Sequence, residues 1–292
     1  MAAHPNLCIG KASVYANAVC SSDWMILVRC PMNPYTLLAE TQRLRVSDGR
    51  QAPILEGCKT ADRLLVLILP QLGDFDSLEY AWWLQRYAQP LQDAKLAIRA
   101  VGIGDQASGK QFCAYTGFSP DWLFVDPMAE LHQQLDLYAG LSFRIPVLSA
   151  AQNAWFNLLL MCAGIGSPGT LSEVLRGYRG DRNAPQLIGD DEVIQAAPLP
   201  PLKGSAFSRA GGKGFQRPFE LATLRLRNMS EALGHWKTYV PNARYLTQRG
   251  GTFLFDRDGT LLYEHRDRGI LGFAANMSDP LAFLLAEHPG HT

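Results

Sequence analysis

The chain has 292 residues, long enough for one large domain or two small ones with a proper core. Its 47% hydrophobic and 18% charged content is that of an ordinary globular chain and excludes a disordered one. Lysine plus arginine and aspartate plus glutamate number 27 each, so no excess charge favours nucleic acid or an anionic membrane surface.

Residues 1–60 mix short apolar pieces with turn residues and read as an N-terminal extension packing on a core. Trp24-Met25-Ile26-Leu27-Val28 fits a strand, and Pro31-Met32-Asn33-Pro34 then breaks the chain. Residues 1–18 lack the long apolar run behind a basic start that marks a secretory leader. The six cysteines (Cys8, Cys20, Cys30, Cys58, Cys113 and Cys162) form no CxxC pair and no zinc-ligand spacing. Reduced, mostly buried thiols in a cytoplasmic protein are expected, with neither metal nor cofactor.

From residue 64 the pattern is regular. Residues 64–69 predict a buried strand and 76–87 a helix. A strand at 95–103, a helix at 105–115, a strand at 122–125 and a helix at 129–137 follow. Strands alternating with helices predict an α/β fold, a parallel sheet joined by right-handed crossovers.

That alternation stops at 148, and residues 148–247 read as a mostly helical insertion that packs as a helical subdomain. Within it, 151–162 is strongly apolar, 172–178 a short helix and 219–233 an amphipathic helix. The apolar run 154–166 is too short to span a bilayer and carries Asn157, so a buried helix is expected and no integral membrane segment. Strand signals return after Gly250-Gly251, at 252–255 and 261–265, around an Asp258-Gly259 hairpin turn. Ser278 or Asp279 is placed to cap a last helix, with Pro280 at its first position.

Five pieces of this order carry a resemblance. Gly73-Asp74-Phe75-Asp76-Ser77 links the first strand to a helix containing Glu79 and Ala81; Val101-Gly102-Ile103-Gly104 and Leu123-Phe124-Val125-Asp126-Pro127 mark the next two strands. Gly250-Gly251-Thr252-Phe253-Leu254-Phe255 and Leu262-Tyr263-Glu264-His265-Arg266-Asp267 supply a terminal hairpin. Over 64–140 and 248–287 the chain resembles the peroxiredoxin-like branch of the AhpC/TSA thioredoxin-fold proteins. The resemblance implies a thioredoxin-like domain from 61–147 and 248–292, a central sheet flanked by helices. It also implies antioxidant, redox descent.

The family's Gly-Cys-x-x-Cys turn falls on Gly73 to Ser77, with Asp74 at the first cysteine position and Ser77 at the second. A thiolate attacks peroxide because sulfur rises reversibly to sulfenic acid. A carboxylate or hydroxyl does not. The chain is therefore expected to have lost the usual cysteine-based peroxidase chemistry. It would act instead by binding a protein partner or small ligand near this degenerate turn, with Gly73, Phe75, Gly250 and Gly251 in the binding region, or at the insertion. Asp74 and Asp76 are expected to cap the helix. The alternative is a one-cysteine thiol peroxidase or oxidoreductase using Cys58, before the first strand, or Cys113, in the second helix. Neither has a predicted helix N-terminus beside it.

Other motifs give weaker readings. Gly102-Ile103-Gly104-Asp105-Gln106-Ala107 fits GxGxxA, with Asp126 about 20 residues on, the features of a dinucleotide-binding crossover. A complete strand–helix unit already precedes it and the sheet ends in a hairpin, which disfavours a dinucleotide enzyme. Asp256-Arg257-Asp258-Gly259-Thr260 matches a phosphatase DxDGT motif but stands too near the end of the sequence, and Asp and Gly suit a hairpin turn. Gly211-Gly212-Lys213-Gly214 lacks the P-loop spacing. His265, with Glu264 and Asp267, reads as a salt-bridged surface.

Overall fold

The computed structural model describes residues 33–285. The strand expected at Trp24-Met25-Ile26-Leu27-Val28 lies outside them, as do Cys8, Cys20 and Cys30. Chain order begins with α1 (Pro34–Glu40), β1 (Gln42–Arg45), β2 (Gln51–Pro53), β3 (Arg63–Gln71), α2 (Phe75–Arg86), α3 (Ala88–Asp93), β4 (Leu96–Ile103), α4 (Gln106–Thr116), β5 (Leu123–Val125) and α5 (Glu130–Gln134). It continues with α6 (Ala150–Cys162), α7 (Thr170–Arg179), β6 (Val193–Ile194), β7 (Leu202–Lys203), α8 (Ser205–Ser208), α9 (Glu220–Gly234) and α10 (Trp236–Tyr239). The last elements are β8 (Gly251–Asp256), β9 (Leu261–Arg266) and α11 (Ala282–Leu285).

Seven strands form one sheet in the order β2-β1-β5-β4-β3-β8-β9. The central β3, β4 and β5 are parallel, as the alternation predicts, and β8 lies antiparallel on β3 with β9 beyond it. The apolar run of β3 divides by the period of a strand. Leu65, Leu67 and Leu69 join the core on the α2/α4 face, and Leu64, Val66 and Ile68 join the core under α1 and α5. A strand covered on both faces has no polar alternation to show.

In the described part of the N-terminal extension, β1 pairs with β5 and carries β2 at the sheet edge. The 148–247 segment carries α6 to α10. Leu187, Ile188, Ile194, Phe207, Leu221, Leu224 and Tyr239 belong to the same core cluster as Leu65 and Leu67, and a β6–β7 ribbon interrupts the helices. Asn157, in α6, is buried and holds both the N–H and the carbonyl of Phe143, pinning the loop before the helix. The last helix starts at Ala282, two residues beyond Pro280. No helix among the described residues is long and apolar enough to cross a membrane.

Candidate functional site

The turn after β3 lies where the sheet, α2 and the 148–247 segment meet. Asp74 is the N-cap of α2, its carboxylate accepting the Asp76 N–H at 3.0 Å. Leu72 fills the space beside Gly102, where an added Cβ would come within 2.3 Å of it; at Gly104 a Cβ would meet the Ser108 hydroxyl at 2.2 Å. At Gly73 a Cβ would lie 2.6 Å from Tyr239 of α10. The glycines of the GxGxxA pattern are thus explained by close packing against the turn and the α4 cap. Asp126, the third residue of that reading, accepts the Leu131 N–H at 2.8 Å and pairs with Arg43 at 3.3 Å.

Of the two aspartates expected to cap the helix only Asp74 does so; Asp76, inside the first turn, gives its carboxylate to Arg249 and the Leu271 N–H instead. Arg249, fully buried just ahead of β8, donates from Nη2 to Asp74 Oδ2 at 2.7 Å and from Nη1 to Asp76 Oδ2 at 3.2 Å. Its Nε donates to the Thr247 carbonyl at 3.1 Å and Nη2 also reaches the Leu246 carbonyl at 3.3 Å. Burial pulls the guanidinium's pKa down, but the Asp74 and Asp76 carboxylates hold it above its ordinary value. Asp76 is itself fully buried and accepts the Leu271 N–H at 2.7 Å. Desolvation, and then the Asp74 charge, raise its pKa well above the carboxylate range.

Asp267 joins this buried group, accepting the Gly250 N–H at 3.2 Å, and burial pushes its pKa up to about 8. The surface expected at His265 and Asp267 is therefore half wrong. Asp267 is interior, and His265 Nε2 lies 2.8 Å from the Gly272 carbonyl. Gly250 packs its Cα against β3, where a Cβ would meet the Ile68 carbonyl at 2.1 Å, and Gly251 begins β8 in the sheet. Neither glycine lines an open cavity with Phe75.

Ser77 is fully buried, and its Oγ donates to the Gln71 carbonyl at 2.8 Å. That bond ties the first turn of α2 back to the end of β3. The hydroxyl has no base beside it and serves the backbone.

Cys58 and Cys113 are not brought to the turn. Cys58 packs with Leu38, Leu64 and Phe255 near the start of β3, and burial outweighs Arg99 in raising its pKa. Cys113 packs on the α2/α4 core, where burial pushes the thiol up to about 12. Among the described residues, the cysteine that packs beside the turn is one that sequence reasoning passed over. Cys162, the last residue of α6, clusters with Phe75, Met161 and Leu271. Burial and the Asp74 charge raise its pKa against the pull of Arg249. All three described cysteines are free thiols.

Phe75 opens α2 and faces an apolar cleft of about 280 Å³ between the turn, α6, α7 and α9. An ion-pair network underlies it. Arg225 of α9 grips Glu79 of α2 with bonds of 2.7 and 3.0 Å and Glu173 of α7 with one of 2.6 Å. Arg176 binds the other oxygen of Glu173 at 2.8 Å. The opposed arginines hold Glu173 below the usual carboxylate range despite burial.

The hairpin reading of Asp256-Arg257-Asp258-Gly259-Thr260 agrees with the geometry. Asp256 accepts the Asp258 and Thr260 N–H groups at 2.9 and 2.8 Å, and Gly259 has φ +81°. Among the described residues no group of three His, Cys, Asp or Glu side chains is arranged to hold a metal ion.

No curated protein matches the chain. The family model described as AhpC/TSA antioxidant enzyme matches residues 83–269. That range starts inside α2, past the Gly73–Ser77 turn, and spans the whole of 148–247. The helical segment thus falls within the family match rather than outside it, unlike the two-part resemblance read from the sequence. With more than half of its length matched and a sheet of the expected mixed α/β order, the chain belongs to the AhpC/TSA antioxidant enzyme family and has a thioredoxin-like fold.

Proposed function

We propose that this family member has lost cysteine-based peroxide reduction at the Gly73–Ser77 turn and acts by binding a ligand or partner where the turn meets the 148–247 segment. The observation that carries the reading is the engagement of both substituted positions. Asp74 is held by Arg249 and the helix cap, and Ser77 by the Gln71 carbonyl. Neither side chain has a free nucleophilic atom. The described thiols support it too, since burial raises the pKa of Cys58, Cys113 and Cys162, against the thiolate that peroxide chemistry requires. The open apolar cleft beside Phe75 gives binding a place. Free thiols at the described cysteines suit a cytoplasmic setting.

Peroxide consumption driven by dithiothreitol tests the reading. The protein should consume no more peroxide than buffer does, before or after its thiols are blocked with N-ethylmaleimide. A rate that N-ethylmaleimide abolishes overturns it.

A further inference from the structure

We propose that the cleft between α7 and α9 is a binding site for a compact, uncharged apolar small molecule; this rests on the binding reading above and names the ligand class. Its walls are Phe75 from the turn, Cys162 from α6, Val174 from α7, Ala222 and Met229 from α9, and Leu271. The volume of about 280 Å³ lies at the lower end of the range for small-molecule pockets, ~300–1,000 Å³, and suits a compact molecule of no more than about three rings.

Charge decides the class. The one charged side chain on the wall is Arg225, and its guanidinium is already bound to Glu79 and Glu173. Its Nη1 donates to the Glu173 carbonyl at 3.0 Å, so no face is left for an anionic headgroup. The Thr170 hydroxyl is likewise engaged with the Ile270 carbonyl at 2.8 Å. The remaining polar groups on the wall, the Tyr178 hydroxyl and the Cys162 thiol, carry no charge, so a charged ligand would give up hydration with no opposite charge to replace it.

The backbone at the cleft carries a second sign. Leu271, on the floor, sits at φ +58°, a region that a leucine adopts only when its surroundings hold it there. The hold is the bond from its N–H to Asp76, which is itself held by Arg249. Tyr178, which lines the cleft, packs edge-on against Phe219 outside it, with ring centroids 6.2 Å apart. A strained, non-glycine residue thus forms the floor, and the floor is tied directly to the degenerate turn.

The test uses the full chain and the uncharged fluorophore N-phenyl-1-naphthylamine. Saturable one-to-one binding is expected. Met229→Glu, at a half-exposed wall position that tolerates folding, should weaken it by about tenfold or more, the cost of a carboxylate facing an apolar ligand. Leu233→Glu, on the same helix but off the wall, should leave affinity unchanged. Saturating probe should also slow alkylation of Cys162 in the unaltered protein, mapped by peptide mass. Absent saturation, equal binding to Met229→Glu, or no protection of Cys162 would overturn the proposal. So would equally tight binding of the anionic analogue 8-anilinonaphthalene-1-sulfonate. A dimer that Met229→Glu converts to monomer would overturn it as well, assigning the cleft to a second copy. If the probe fails while no thiol-dependent peroxide consumption is seen, only the ligand class falls. A thiol-dependent rate removes the parent reading whatever the probe does.

Discussion

The substitution Arg249→Met isolates the contact that defines the turn. The guanidinium is fully buried and binds Asp74, Asp76 and the Leu246 and Thr247 carbonyls. A methionine side chain fills similar volume without a charge, leaving two carboxylates that are 7% and 1% exposed with no cation beside them. Removing one partner of a buried ion pair costs ~3–5 kcal/mol, because the charge left behind has neither water nor a partner. For a domain of this size that corresponds to a fall in Tm of roughly 6–20 °C. The loss should be smaller at pH 5 than at pH 8. Without the cation the native carboxyls take up protons that the unfolded chain does not, so native stability falls as pH rises. Adding Asp74→Asn and Asp76→Asn should restore part of the loss, since a buried ion group replaced as a whole by neutral groups is close to neutral in stability. Urea unfolding followed by tryptophan fluorescence, at both pH values, measures all of this. A loss under about 1 kcal/mol that does not change with pH would refute the buried Asp74–Arg249–Asp76 arrangement.

Further changes test the same region. Asp74→Cys places a thiol at a helix N-cap beside Arg249; its alkylation rate should titrate below the ordinary ~8.5, in the ~3.5–7.5 range of thiols near helix N-termini and cations. Ser77→Ala removes the donor to the Gln71 carbonyl and should cost ~1–3 kcal/mol in urea unfolding with no change in ligand affinity. Asp267, raised to about 8 by burial, binds a proton in the native state that the unfolded chain releases near 3.8. Its contribution is complete below pH 3.8 and is lost as pH rises through about 8. Asp267→Asn should therefore gain stability relative to the parent across that window, by up to ~1.4 kcal/mol per pH unit. His132 runs the other way: burial lowers it from 6.5 to about 4, so its contribution is present above pH 6.5 and lost as pH falls through 4. His132→Gln should flatten the acid limb of the stability profile by about 3 kcal/mol.

The central fold was legible because β3, β4 and β5 are separated by helices with clear starts. Asp105 and Ser108 cap α4 reciprocally, and β3 is apolar throughout because both of its faces are covered. The β1–β2 hairpin was not. Its strands are short, with β2 at the sheet edge and Arg43 and Arg45 on β1, and the Asp48-Gly49 pair, with Gly49 at φ +69°, is the local sign of it. Where residues 148–247 pack was not legible, because an apolar helix face does not announce which surface it covers.

At the site, Asp74 was legible as a cap from its place before Phe75 and Asp76. Its pairing with Arg249 was not, because the two are brought together only by β8 lying against β3. The available signal was indirect: two aspartates in one turn ahead of a buried helix call for a cation. Cys162 escaped for the same reason. It stands at the end of an apolar helix with nothing nearby in sequence to place it beside Phe75.

Loss of thiol chemistry at the turn is read from intact mass after a small excess of hydrogen peroxide, with dimedone present to trap sulfenic acid. The parent protein should give no dimedone adduct and Asp74→Cys a single one. A rapid adduct on one cysteine of the parent protein would contradict that loss and would name the nucleophile.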